Sequence, residues 1–182
     1  MRAIDKKWRA LYYGLTKEKK SMEEIWYACY GSNINISRFM KYIEKCDNKQ
    51  PPVDEKRYEF PYNIYFAGIS KRWNGKAVAF LDDSKPGHAY GKIYQISLSQ
   101  FEQIKELEGE AYRKVLYLGE VEKIPVYTFT APEKRNDLGI PSADYFDTIL
   151  KGLEELYEEK SSEELEEYLR LSVKDERLSK NG

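Results

Sequence analysis

The chain has 182 residues, 41% of them hydrophobic and 34% charged, with a formal net charge of −1. That length can bury one substantial core, so a single domain with short terminal additions is expected. The near-zero charge argues against broad affinity for nucleic acid or a membrane surface, and no apolar run reaches membrane-spanning length. Two cysteines, Cys29 and Cys46, and one histidine, His88, make neither a disulfide framework nor a metal-ligand set. A reducing cytoplasm, with no metal and no cofactor, is the expected setting. Met1 to Leu15 is interrupted by charge, which is not a secretory leader's pattern.

In chain order, Ile4, Trp8, Leu11, Tyr12 and Leu15 predict an amphipathic helix within a basic segment that holds Arg2, Lys6, Lys7, Arg9, Lys17, Lys19 and Lys20. Ile25 to Tyr30 is short, apolar and aromatic and predicts a buried strand. Gly31-Ser32-Asn33 breaks it, and Ile36, Phe39, Met40 and Ile43 then mark one face of a helix. A polar loop follows over 46–57, with Pro51 and Pro52, and Tyr58 to Gly68 is expected to be extended. Lys76 to Leu81 and His88 to Ile96 are two predicted strands. The Asp82-Asp83-Ser84-Lys85-Pro86-Gly87 turn suggests that they form a hairpin.

Leu98, Phe101, Ile104 and Leu107 recur at helical spacing up to Gly109, a natural stop. Tyr112 to Val121 and Ile124 to Thr130 predict a strand pair around a short turn. Ser142 is a good N-cap for a helix with Tyr145, Phe146, Ile149, Leu150, Leu153, Leu156 and Tyr157 as its core stripe. Ser161-Ser162-Glu163-Glu164 is a capping box for a last, acidic helix. Strands interrupted by single helices, without regular alternation, predict α+β: a mixed, strongly curved sheet forming a partial barrel with flanking helices. Residues 1–22 read as a helical extension, 23–158 as the domain and 159–182 as a charged C-terminal helix.

Glu108 is the residue that most calls for a chemical explanation. It lies four residues after Ile104 and seven after Phe101, on the apolar stripe, while Glu102 and Glu106 are expected to face water. At a helix C-terminus a carboxylate meets both desolvation and the negative end of the helix dipole, which disfavour its charged form. General acid–base catalysis needs such a group. Its structural alternatives are an ion pair with a nearby arginine such as Arg113, or a side chain that reaches solvent past the stripe. The second candidate is Tyr30-Gly31-Ser32-Asn33, between a strand and a helix. Glycine allows close backbone approach, and the following N–H groups, the Ser32 hydroxyl and the Asn33 amide can converge on a small carboxylate. The Tyr112 and Tyr145 hydroxyls would suit a small polar substrate. Cys29 and His88 are a weaker candidate as a thiol nucleophile pair. Arg72, Lys71 and the many aromatic rings read as solvated loop and core.

These residues together resemble the γ-glutamylcyclotransferase-like proteins. Tyr30-Gly31-Ser32-Asn33 after a strand resembles the family's Tyr-Gly-Ser-Asn signature. Trp73-Asn74-Gly75, Gly91, Glu108-Gly109 and Pro141-Ser142 with Tyr145 follow in the family's order, over about residues 24 to 157. The resemblance implies that Glu108 is the general acid/base, that Tyr30, Gly31, Ser32 and Asn33 grip a γ-glutamyl group, and that Tyr145 lines the pocket. It implies an enzyme that converts a small γ-glutamyl amide or peptide into 5-oxoproline and a free amine. The chain departs from the family at Lys76, where a second glycine is common, and at Lys105 or Glu106, where an acidic residue is common a few positions before Glu-Gly. The rival from another class is a non-catalytic small-molecule or protein-binding module on the same fold. Whether the terminal helices pack on the core or join two copies in a homodimer is left open by the sequence.

Overall fold

The computed structural model describes residues 14–16, 19, 20 and 23–173. The helix predicted from Ile4 to Leu15 falls almost wholly outside them, as does the tail from 174 onward. In order come β1 (Glu24–Cys29), a 3₁₀ turn (Ser32–Ile34), α1 (Ile36–Ile43), β2 (Asp54–Phe60), β3 (Asn63–Ser70), a 3₁₀ turn (Lys71–Trp73), β4 (Lys76–Asp82), β5 (Ala89–Ser97) and α2 (Leu98–Glu108). A 3₁₀ turn (Glu110–Tyr112), β6 (Lys114–Val121), β7 (Ile124–Thr130), α3 (Ala143–Leu156) and α4 (Ser162–Ser172) complete the chain. Five strands form a sheet in the order β2-β5-β1-β7-β6, and β3 and β4 form a two-stranded ribbon. β1 runs parallel to β7 and β6 antiparallel to it, so the main sheet is mixed, as expected of the α+β class. Among the described residues no helix is long and apolar enough to cross a membrane.

Tyr58 to Gly68 is extended as expected, as parts of two strands, β2 and β3, separated by Pro61-Tyr62, but the loop predicted over 46–57 ends early, because β2 already begins at Asp54. The hairpin predicted across residues 82–87 does not form: β4 pairs with β3, from Asn63 opposite Asp82 to Ser70 opposite Lys76, while β5 joins the other sheet. The turn instead folds back on the β2–β3 connection. Gly87 N–H donates to the Pro61 carbonyl at 3.0 Å, and His88 N–H donates to Asn63 Oδ1 at 3.0 Å. A Cβ on Gly87 would lie 2.5 Å from Asn63, so only glycine fits this contact.

The chain packs as two compact units. The first comprises Met1–Ala28, Met40–Lys56 and Ile93–Pro132. Its centre is aromatic: Tyr27 stacks on Phe129 at 4.9 Å and meets Phe101 edge-on at 5.7 Å. Glu122 and Lys123, both at positive φ, close the β6–β7 hairpin in the sense that matches strand twist. Thr128, buried in β7, donates its hydroxyl to the Ala28 carbonyl at 2.7 Å and so joins β7 to β1.

The second unit comprises Cys29–Phe39, Arg57–Lys92 and Glu133–Gly182. Here the connection before α3 is strapped to the ribbon. Gly68 N–H reaches the Asp137 carbonyl, Gly139 N–H the Phe66 carbonyl and Ala77 N–H the Ile140 carbonyl, at 3.0 to 3.3 Å. Lys134 Nζ lies 2.6 Å from the carboxylate of Asp82, which is 4% exposed and also accepts from Ser84. Burial alone would raise the Asp82 pKa, but the hydrogen bonds from Lys134 and Ser84 outweigh it and hold the carboxyl below its ordinary range. α3 packs on the first 3₁₀ turn through Gly152, where a Cβ would lie 2.7 Å from the Asn35 nitrogen. Ser161 caps α4 with the full reciprocal box predicted from sequence.

Candidate active site

α2 begins at a Ser97–Gln100 capping box and buries Leu98, Phe101 and Ile104. The apolar stripe weakens toward its end, where Leu107 and Glu108 are half-buried. Gly109 stops the helix at φ 82, ψ −169, a backbone region that glycine alone enters readily. Arg113, the structural alternative for pairing Glu108, pairs with Glu110. Glu106 is exposed as read, but Glu102 is not a solvent-facing residue. Its carboxylate is 3.1 Å from Lys20 and its side chain is 20% exposed, so a cation offsets its packing. Tyr112 ends the 3₁₀ turn after Gly109, half-buried, and β6 begins only at Lys114.

The second unit holds the loop. β1 ends at Cys29, Tyr30 is buried edge-on against Phe60 at 5.6 Å, and the chain enters the Ser32–Ile34 turn. The turn is closed by Ile34 N–H to the Gly31 carbonyl at 3.1 Å and Asn35 N–H to the Ser32 carbonyl at 3.2 Å. Asn33 is 5% exposed, whereas Ser32 is half-buried. Gly31 has φ −117, which other residues adopt, so conformation does not demand glycine here. Space does: a Cβ at Gly31 would lie 2.9 Å from the Tyr145 hydroxyl.

Tyr145 is fixed from several sides. Ser142 caps α3 by accepting from Tyr145 N–H at 3.2 Å, which sets the helix's first turn. Ala79 N–H in β4 donates to the Tyr145 hydroxyl oxygen at 3.0 Å. Phe66 meets the Tyr145 ring edge-on at 6.3 Å, and Trp73 packs against it at 4.8 Å. Trp73 owes its place to the turn that follows, with Asn74 at φ 57 and Gly75 at φ 68. Lys76, the departure noted in the sequence, is exposed.

Gly31 and Tyr145 are thus brought together in the second unit, with Ser32 and Asn33 next in the chain. Glu108 and Tyr112 belong to the first unit. Sequence reading missed Arg38, whose guanidinium carbon lies 5.4 Å from the centre of the Trp73 ring. One signal was available: a cation in the first turn of a predicted helix faces the unfavourable end of the dipole. The thiol alternative gains no support. Cys29 is 2% exposed within β1, and His88 Nε2 contacts Glu59 at 2.8 Å on the surface. Among the described residues no group of three or more His, Cys, Asp and Glu side chains could hold a metal ion.

No family model matches the sequence, and no curated protein matches it. Solved structures do match in shape. A γ-glutamyl cyclotransferase aligns with a TM-score of 0.60 at 17% identity, covering 87% of this chain and 97% of that one. The uncharacterized human protein loc79017 aligns with a TM-score of 0.59 at 19% identity, covering 79% of this chain and 86% of that one. The fold is therefore γ-glutamylcyclotransferase-like.

Proposed function

We propose that the chain is a γ-glutamylcyclotransferase: it cyclises the γ-glutamyl group of a small γ-glutamyl amide or peptide to 5-oxoproline and releases the free amine. The observation that carries this reading is the close approach of Gly31 to the Tyr145 hydroxyl on a γ-glutamylcyclotransferase-like fold. It puts the signature loop and the tyrosine after Pro-Ser side by side, as a shared role in binding requires. Cys29 and Cys46, both buried and neither in a disulfide, are in keeping with the reducing cytoplasm in which we place the reaction.

In the proposed reaction the substrate's own α-amine attacks its γ-carbonyl carbon. A new C–N bond closes the five-membered ring while the amide C–N bond breaks. Because nucleophile and electrophile belong to one molecule, holding the folded conformer supplies most of what a second reactant would otherwise have to bring. Glu108 takes a proton from the α-ammonium and returns one to the departing nitrogen, a transfer worth roughly 10²–10⁴-fold. Tyr30, Gly31, Ser32 and Asn33 hold the γ-glutamyl group, with backbone N–H groups available to its α-carboxylate or to the developing oxyanion. Tyr112 and Tyr145 contribute hydroxyls to substrate binding.

Incubation of the purified protein with γ-glutamyl amino acids, γ-glutamyl amines and glutathione, followed by quantitation of 5-oxoproline, tests the reading. Turnover that is lost in Glu108→Gln is expected. Turnover that survives the substitution sinks the role of Glu108, and binding without turnover in the wild type replaces the enzyme with a binding module.

A further inference from the structure

A cavity of about 730 Å³ opens within the second unit, between α4 and the starts of β3 and β5. None of the residues proposed for the cyclisation lines it, and its volume suits a small ligand. One wall is aromatic. The Tyr90 ring meets Tyr168 and His88 near edge-on, each at 4.8 Å, and the Tyr168 hydroxyl accepts from Tyr90 N–H at 3.2 Å, which ties α4 to β5. The other wall is acidic. Glu163 and Glu167 line the cavity from α4 and, four residues apart, share one face of the helix. Like charges at that spacing cost the helix a little rather than stabilise it. Glu166 has a cation in Arg170, and Glu164 accepts from Ser161 N–H. Glu163 and Glu167 have no cation in ion-pair range among the described residues. On the aromatic wall, by contrast, an ammonium is already present: Lys160 Nζ sits 5.1 Å from the Tyr90 ring centre. Hydrogen bonding with the Tyr90 side chain is the main cause that raises the Lys160 pKa, so this wall favours a positive charge.

We propose that this cavity binds an aliphatic diamine or polyamine, with one ammonium on Tyr90 in place of Lys160 and another at Glu163 and Glu167. The site stands apart from the cyclotransferase reading and does not depend on it. Its chemistry selects the ligand. Glu163, Glu164 and Glu167 outnumber Lys160 in the lining, so an anion is repelled. A neutral ligand would leave the two carboxylates without a cation. A single ammonium fills one of the two places, whereas a flexible chain with an ammonium at each end reaches both, and its second contact forms at high effective concentration. Tyr168 and Leu171, the latter 71% exposed, give the methylene chain an apolar surface that a bare metal ion would not use.

Calorimetry of the full chain with spermidine, putrescine, butylamine and butane-1,4-diol, at physiological ionic strength, tests the proposal. Spermidine and putrescine should each bind saturably at a single site. Butylamine should bind at least about 10-fold more weakly than putrescine, and the diol not at all. Glu163→Gln combined with Glu167→Gln should weaken putrescine by about 10-fold or more. Glu106→Gln combined with Glu133→Gln removes the same charge from exposed positions elsewhere and should change it by less than about 2-fold. Lys160→Met frees the Tyr90 face and should tighten putrescine by about 2–5-fold. Absence of saturable binding overturns the proposal, as does butylamine binding as tightly as putrescine. Equal losses in the two double variants would reduce the effect to diffuse attraction of cations and overturn it too. Weaker binding in Lys160→Met would remove the ammonium from Tyr90. The comparison of the four compounds on wild type decides the matter without any variant.

Discussion

Glu108 ends α2 half-buried, whereas Tyr145, in the first turn of α3, is almost wholly buried and pressed against a neighbouring backbone. A Cβ added at Gly109, next to Glu108, would meet nothing within 4 Å, while one added at Gly31 would lie 2.9 Å from the Tyr145 hydroxyl. The proposed proton carrier therefore precedes a residue with open space around it. The proposed binding loop is placed where packing defines its shape. Substitutions at the first site should read out chemistry, and those at the second should read out structure and binding together.

The sharpest way to break this contrast is to measure both quantities on one variant. Glu108→Gln keeps the size of the side chain and should lower kcat/KM by roughly 10²–10⁴-fold. Its thermal midpoint should stay within about 2 °C of wild type, because a half-buried surface position away from the core usually changes stability by less than about 0.5 kcal/mol. A large drop in midpoint would mean that Glu108 serves the fold.

Gly31→Ala should do the reverse. The Tyr145 ring is 3% exposed and held by Phe66, Trp73 and the Ala79 N–H, so it has little room to yield. Overpacking of this kind costs about 3 kcal/mol at the upper end of its usual range, and activity should fall with it. Tyr145→Phe removes the offending oxygen. Combined with Gly31→Ala it should recover at least about 1 kcal/mol relative to the sum of the two single changes. Additive losses in denaturant unfolding would show that the two residues do not limit each other.

The sequence carried the elements better than their pairing. Ser142 and the Ser161–Glu164 box were legible because a cap is a local hydrogen bond. β6 and β7 were legible from their apolar runs, since Glu122 and Lys123 hold positive φ without the usual glycine or asparagine. The 82–87 turn has good turn residues and still misled. Which strand β4 joins is decided by distant groups, with Lys134 reaching Asp82 from 52 residues away and Gly87 settling on Asn63. At the site, Gly31 was read for its backbone freedom, but its cause is the Tyr145 hydroxyl, a contact that no local pattern encodes. Arg38 escaped because its meaning depends on Trp73, which turn geometry delivers from another part of the chain.

A smaller effect tests whether the strap before α3 supports this packed end. Asp82→Asn removes the charge that Lys134 pairs with and should cost about 1.5–2 kcal/mol near neutral pH. The folded carboxyl titrates below its ordinary value of 3.8. Its contribution is thus fully present above that value and is lost as the pH falls through the lower, folded one. Wild type and variant should converge in stability as acid is added through this window. A gap that stays constant there would assign the loss to something other than the charge.

The smallest expected effect bears most directly on the contrast between the two helix ends. Ser142 accepts from Tyr145 N–H at 3.2 Å and so links the cap of α3 to the tyrosine beside Gly31. Ser142→Ala should cost about 1 kcal/mol of stability, as lost caps do, because the N–H groups of the first turn lose an acceptor. If the packed end works as argued, Tyr145 is held chiefly by Ala79, Phe66 and Trp73, and losing the cap should leave KM for a γ-glutamyl substrate nearly unchanged. A marked rise in KM with kcat preserved would show instead that the helix start, and not the wall of side chains around the phenol, sets the position of the hydroxyl.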